Sequence, residues 1–300
     1  MANDLSPYAL HVFEPDTRNN SWSNLFNFVP ENSTVLDVGC STGNFGAALI
    51  EEKGCLVTGV DLHAADVAEA KQRLTRALVM DINDKSAAET LGTFDVIIFA
   101  DVLEHLIDPR ATLRALRKLL ADGGSIVYSI PNMAHLSTRL DLLAGEFPYT
   151  DTGLLDRTHL HFYDREEICN LFTEAGYEII DEKPVVVEYP RTWIRDRLAQ
   201  LGLSATAEFY DLLDHTESKV FQYVGIAIPA AKTGSPGRTR QRVMPNDEII
   251  GYVAALLEHI SHLEETLAAV EGRFAEVQRH PIADLQKRVV RRISRAFPRS

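Results

Sequence analysis

Nowhere in the 300 residues do eighteen apolar side chains follow one another, so the sequence offers no membrane-spanning helix. The N-terminus, MANDLSPYALHVFEPD, lacks the basic-then-apolar order of a secretory leader, and none is expected. Cysteine is scarce. Cys40, Cys55 and Cys169 stand far apart and outside any metal-ligand spacing, which suits a reducing cytoplasm and inert or partly buried thiols. Positive charge is scarce as well: residues 1–231 hold 18 Lys and Arg against 35 Asp and Glu. Phosphate neutralisation supplies most nucleic-acid affinity, so this acidic body argues against DNA or RNA as a partner. The composition, 45% hydrophobic and 24% charged, is that of a globular chain able to bury a core.

Short apolar runs punctuate the first 231 residues, at 34–38, 56–60, 77–80, 94–100, 125–130, 177–188 and 220–228. Helical patterns separate most of them, including 45–52, 65–76, 109–120 and 165–175. Such alternation predicts an α/β domain over 1–231, a Rossmann-like parallel sheet with helices on both faces. The stretch 189–219 before the last run has helical character around 205–213, and the last strand is expected to return antiparallel. A linker rich in Gly, Pro, Ser and Arg fills 232–245. Ile249, Val253, Leu256, Ile260, Leu263, Leu267, Val270, Phe274 and Val277 then step 4-3-4-3, which predicts a coiled-coil helix over 246–279. It pairs with a second copy or a partner protein, or else packs on its own domain. A tail over 280–300 puts Ile282, Leu285, Val289, Ile293 and Phe297 on one face and a cluster of Lys and Arg on the other. Such a tail suits a peripheral contact with an anionic membrane surface or an acidic partner, or is simply a solvated end. A cytoplasmic protein, with an optional hold on the inner membrane face, is the expectation.

The segment Val35-Leu36-Asp37-Val38-Gly39-Cys40-Ser41-Thr42-Gly43 ends a strand in a tight turn and starts a helix. Glycines there let backbone approach a ligand closely. A glycine turn alone would equally cradle a phosphate. Asp37, just before the turn, would repel a pyrophosphate but suits a cationic group, such as the amino-acid end of S-adenosylmethionine. Asp61, eighteen residues after Gly43, closes the next strand, where a carboxylate accepts both hydroxyls of a ribose. Asp81 ends the third, placed to accept from an adenine amino group with the Ile82 amide beside it. Three carboxylates at successive strand ends gather where open α/β sheets bind ligands.

These residues resemble the class I S-adenosylmethionine-dependent methyltransferases, in ordered motifs over about 34–180. VLDVGCSTG is similar to the family's first motif, GVD to its second acidic position, FDVIIFADVLEHLIDP to the fourth-strand motif, and LLADGGSIVYSIPN to the helix, turn and fifth strand. The resemblance implies a seven-stranded sheet with a reversed last strand. It also implies that Asp37, Gly39, Cys40 and Gly43 line the methionine end of S-adenosyl-L-methionine, with Asp101 near by. Asp61 and Leu62 would serve the ribose, and Asp81 and Ile82 the adenine. Ser41 departs from the common pattern, which has Gly there.

A hydroxyl acceptor needs a base, and Asp156-Arg157-Thr158-His159-Leu160-His161 offers two imidazoles that a strand would point the same way. His159, His161 and His105 are the catalytic candidates; alternatively a His only ties down a lid, and Arg157 pairs with Asp156. Asp101, Glu104 and His105, at i, i+3 and i+4, form with His161 or His159 a possible divalent-metal set. Small-RNA 2′-O-methyltransferases and ubiquinone-pathway O-methyltransferases bind metal through a similar acidic-x-x-Glu-His motif, whereas many relatives carry Leu-Glu-His without one. GLLDRTHLHFY is similar to a stretch in bacterial methyltransferases that accompany glycosyltransferases in surface-polysaccharide pathways, which implies a sugar hydroxyl of a glycan as acceptor. A small phenol, quinone or amine is the alternative acceptor, and a scaffold that keeps the fold without turnover is the alternative to an enzyme. An NAD-dependent oxidoreductase would leave Asp37 and Asp81 without a task.

Overall fold

The computed structural model describes residue 6 and residues 19–84, 90–214 and 217–231. The expected linker, coiled-coil helix and basic tail lie outside the described residues. Helix α1 (Ser21–Phe28) starts at Asn20, whose side chain accepts from the Trp22 and Ser23 amides, as an N-cap should. Five parallel strands follow: β1 (Thr34–Val38), β2 (Leu56–Asp61), β3 (Arg76–Val79), β4 (Phe94–Ala100) and β5 (Leu120–Pro131). Between them run α2 (Asn44–Lys53), α3 (Ala64–Ala70) and α4 (Pro109–Leu116). The second half contributes α5 (Leu136–Leu143), α6 (Arg165–Ala175), β6 (Tyr177–Glu182), β7 (Val185–Val186), α7 (Arg191–Gln200), α8 (Ala207–Asp214) and β8 (Val220–Pro229).

The sheet order is β3-β2-β1-β4-β5-β8-β6, with β8 antiparallel to both neighbours and β7 pairing β8 beside β6. The expected reversed last strand is therefore present. The expected count of seven needs correction: one apolar run, 177–188, yields two strands, for an eight-stranded sheet among the described residues. Pro184 accounts for the break, since it has no N–H to give the ladder. The expected helical character around 205–213 is α8, and the same 189–219 stretch holds a further helix, α7, that was not expected.

Alternate residues of the central strands enter two different cores. Leu36, Val38, Ile97 and Phe99 face one side with α4 and α6, while Val35, Val96, Ile98 and Val127 face the other with α1 to α3. Burial on both faces explains why these strands read as unbroken apolar runs rather than as alternation. A third cluster, Leu136, Leu140, Ile194, Leu198 and Leu213, joins α5, α7 and α8. Register aligns Val38 with Val60 and Phe99, so the chain leaves β1, β2 and β4 at one edge of the sheet.

Phe172 has no exposed surface and packs its ring 4.4 Å from that of Tyr128 across the α6–β5 contact. Truncation of such a side chain leaves a cavity costing about 3–5 kcal/mol. Urea unfolding of Phe172→Ala is expected to show that loss, whereas Leu143→Ala, on an exposed side chain, stays within about 0.5 kcal/mol of wild type.

Candidate functional site

Beyond the carboxyl edge of the sheet lies a cavity of about 450 Å³. Asp37, Gly39, Cys40, Asp61, Leu62, Asp81, Ile82, Asp101, Glu104, His105 and His159 all line it, from different elements. Gly39 has φ +74°, and a Cβ there would lie 2.6 Å from Val102 Cγ2, so this turn needs glycine for conformation and for space. Gly43 stands behind the cavity wall rather than on it: φ is +79°, and a Cβ would press on Leu74 and Ala70. Ser41 sits between them at φ +45°. That conformation costs a non-glycine residue about 1–2 kcal/mol and explains why glycine is common there. Two contacts offset the cost: the Ser41 amide donates to Asp61 Oδ2 at 2.9 Å, and its hydroxyl donates to Asp66 Oδ2 at 2.9 Å.

Asp61 also accepts the His63 amide at Oδ1, 2.8 Å away, so both its oxygens are oriented by backbone. Asp81 lies two residues past β3 and is closed into a local turn by Asn83, whose amide and side chain donate to Oδ1 at 2.8 and 2.9 Å. Asp37 is different. It is 2% exposed, and its Oδ2 has no hydrogen-bond partner. Burial, then the nearby Asp61 carboxylate, raises its pKa to about 7. Burial and the same carboxylates push the Cys40 thiol well up, so it stays protonated. A cation arriving against Asp37 would meet a carboxyl group whose Oδ2 has no hydrogen-bond partner among the described residues.

A second polar group lies where the Glu104 turn meets the 154–163 segment. Glu104 is 1% exposed, and neither carboxylate oxygen has a hydrogen-bond partner. Burial, followed by the Asp101 charge, holds its pKa well above the usual carboxylate range. His105 Nδ1 lies 3.2 Å from the Thr158 carbonyl and 3.1 Å from its hydroxyl, which itself donates to Asp156. His159 Nδ1 lies 3.3 Å from the Leu154 carbonyl. Carbonyls only accept, so both rings carry their proton on Nδ1 and present Nε2 as the basic nitrogen. His159 Nε2 is 3.9 Å from Glu104 Oε1, and the two rings meet edge to face at 4.7 Å. Burial, then His105, holds the His159 pKa below the ordinary imidazole value.

Glu104, His105 and His159 can bring one donor atom each within 4.8 Å of one another, the one such group among the described residues. Asp101 and His161, named with Glu104 and His105 as possible ligands, are not in it. Asp101 does not open a helix; it leaves β4 at φ +55°, ahead of a 3-10 turn at Leu103–His105. The segment 154–163 is irregular, so strand parity does not apply to its histidines. His159 reaches the main cavity, whereas His161 lines a small void beside it, its Nε2 buried without a partner. Arg157 pairs with Asp151 at 3.1 Å rather than with Asp156. Asp156 is instead 1% exposed and fixes Thr158.

Several residues on the cavity wall or directly behind it carry no sequence signal. Asp66, buried in the first turn of α3, accepts from Ser6 and Ser41 and lies 3.0 Å from the His63 ring. Trp22, Phe221 and Gln222 come from segments far from the motifs. No described helix is long and apolar enough to cross a membrane.

A family model described as a methyltransferase domain matches residues 17–182, just over half the chain. The ubiquinone biosynthesis O-methyltransferase of Pseudomonas paraeruginosa (strain DSM 24068 / PA7) is 36% identical over 104 residues, covering 33% of this chain and 44% of the relative. That of Pseudomonas aeruginosa (strain LESB58) is 34% identical over 155 residues, covering 49% and 65%. The chain thus spans less than two thirds of the length of these curated relatives. Among solved structures, the N-methyltransferase NodS from Bradyrhizobium japonicum WM9, in complex with S-adenosylhomocysteine, is 19% identical, with TM-score 0.45 over 71% of this chain and 86% of that one.

A folded-state pKa of about 7 against an ordinary 3.8 makes Asp37 a pH-dependent liability. Its neutral form suits the fold, so the stability it contributes is complete below the ordinary value and is lost as pH rises through about 7. Without ligand, wild type is expected to lose up to about 4 kcal/mol relative to Asp37→Asn between pH 4 and 8. Denaturant unfolding at both pH values checks this; a constant difference between the two proteins would contradict it.

Proposed function

The chain belongs to the methyltransferase domain family, and from that premise we propose that it transfers the methyl group of S-adenosylmethionine to a hydroxyl of a small, phenol- or quinol-like acceptor. The family supports the donor, and so does the cavity's chemistry. Asp37 offers an uncompensated buried carboxylate to the donor's ammonium, Asp61 two backbone-oriented oxygens to its ribose, and the Asp81–Ile82 segment polar atoms to its adenine.

One observation carries the oxygen acceptor: two imidazoles, each with its proton fixed on Nδ1, present Nε2 at the cavity beside the buried Glu104 carboxyl. The donor's sulfonium is already activated, so alignment provides most of the acceleration. As the acceptor oxygen forms its bond to the methyl carbon, the carbon–sulfur bond breaks and S-adenosylhomocysteine leaves. The hydroxyl proton passes to His159 Nε2, whose burial keeps it neutral and able to accept. Leu106, Val102, Pro131 and Phe221 are apolar residues of the cavity lining, which supports an acceptor with apolar surface. The names of the ubiquinone-pathway relatives favour an aromatic hydroxyl over the sugar hydroxyl implied by the GLLDRTHLHFY resemblance.

A specific observation favours a second reading of the same cluster. Glu104, His105 and His159 form a donor set of one carboxylate and two imidazoles, with the rings' other nitrogens tied to backbone carbonyls as in many metal sites. A divalent cation held there would acidify a bound hydroxyl.

Full-length protein with labelled S-adenosylmethionine should methylate catechol-type acceptors in preference to a panel of sugars. Under the imidazole reading, His159→Ala lowers kcat at least about 100-fold with the KM for S-adenosylmethionine little changed, and EDTA leaves turnover intact. Loss of turnover in EDTA, restored by Mg²⁺, Mn²⁺ or Zn²⁺, would select the metal reading. Labelling of sugars alone would overturn the acceptor class.

A further inference from the structure

The last strand, outside the segment matched by the family model, delivers a side chain to the reaction cavity. Asp101 leaves β4 in the left-handed region, at φ +55°, a conformation that a non-glycine residue keeps only when its surroundings hold it. Two elements hold it here. Its amide donates to Ser129 Oγ at 3.0 Å, and the same hydroxyl donates back to Asp101 Oδ1 at 3.0 Å, closing a ring between β4 and β5. Gln222 Nε2, from β8, donates to that same oxygen. The pairing fixes the amide's orientation, because a carboxylate can only accept. Ser129 is fully buried and Gln222 nearly so, and register sets Gln222 opposite Pro131 and Ser129 opposite Val224, two positions apart on adjoining strands.

The place held in this way is central. Val38 aligns with Phe99, so the Gly39 turn and Asp101 leave neighbouring strands side by side, and Val102 packs where a Gly39 side chain would be. We propose that Gln222, together with Ser129, is a positioning residue: it fixes the Asp101 carboxylate toward the amino-acid end of S-adenosylmethionine, so the antiparallel strand helps to set donor affinity. This rests on the donor reading above. Two donors on one carboxylate oxygen settle both its rotamer and the strained backbone before ligand arrives, and a preorganised anion binds a cation without reordering itself.

The test needs no acceptor. Calorimetric titration of the full-length chain with S-adenosylmethionine is run on wild type, Gln222→Leu, Asp101→Ala and the double variant. Gln222→Leu should weaken binding about tenfold, the scale of a hydrogen bond to a charged group. Asp101→Ala should weaken it at least as much, and the double variant should bind within about twofold of Asp101→Ala, because a residue acting through Asp101 has no effect once that carboxylate is gone. A purely structural role would instead weaken binding by the same factor in both backgrounds, and that result, or wild-type affinity in Gln222→Leu, overturns the proposal. Should Gln222→Leu fail to fold, Ser129→Ala takes its place in the same cycle. If wild type binds no S-adenosylmethionine at all, the donor reading falls and the proposal with it; in every other case the cycle judges Gln222 alone.

Discussion

Desolvated negative charge is the constraint on which the site depends. Asp37 sits where the core ends and the cavity begins, 2% exposed and with one oxygen unpartnered. A fold optimised for stability alone would place an apolar residue there, since a buried charge without a partner is costly. Asp61, Asp81 and Asp101 line the same cavity, and Asp66 is buried behind Ser41. Most of them are tied by backbone or hydroxyl donors, which fix their direction without neutralising them. The result is a concentration of carboxylates, which supports the proposed ligand with a positive charge.

The proposed acceptor side follows the same logic with different groups. The Glu104 carboxyl is buried without a hydrogen-bond partner, and the imidazoles of His105 and His159 have their orientation set by the carbonyls of Thr158 and Leu154. The segment 154–163 is thus a frame for nitrogen lone pairs, and Asp156 stiffens it by accepting from Thr158 twice. Whether a proton or a cation is accepted by this cluster, the proteinaceous part of the chemistry is orientation. The proposed donor and acceptor regions meet at Asp101, whose charge is felt by Glu104 and whose geometry is held by β5 and β8.

Much of this was legible in the sequence because it follows from chain-local patterns. The strand, glycine turn and helix around Gly39, and the acidic residues closing β1 and β2, are set by short-range geometry and by the rule that ligands bind beyond the carboxyl ends of such strands. The less legible features depend on contacts between distant segments. Asp66 reads as an ordinary first-turn acid of α3, and only Ser6 and Ser41 reveal its burial. Gln222 reads as one polar residue in an apolar strand. The histidines were separable only once the 154–163 segment proved irregular, which sends His159 to the cavity and His161 to the void beside it. Gly43 was legible as essential but not for what: it closes packing on Leu74 and Ala70.

The central claim is that Asp37 accepts the donor's ammonium. Calorimetric titration with S-adenosylhomocysteine, in buffers of different ionisation enthalpy between pH 5 and 8, tests it most directly. With a ligand-free pKa of about 7, Asp37 must ionise as the cation docks. Binding should therefore release close to one proton at the acid end, and affinity should rise by up to about tenfold per pH unit until it levels above pH 7. Affinity independent of pH, with no proton exchanged, would contradict the account.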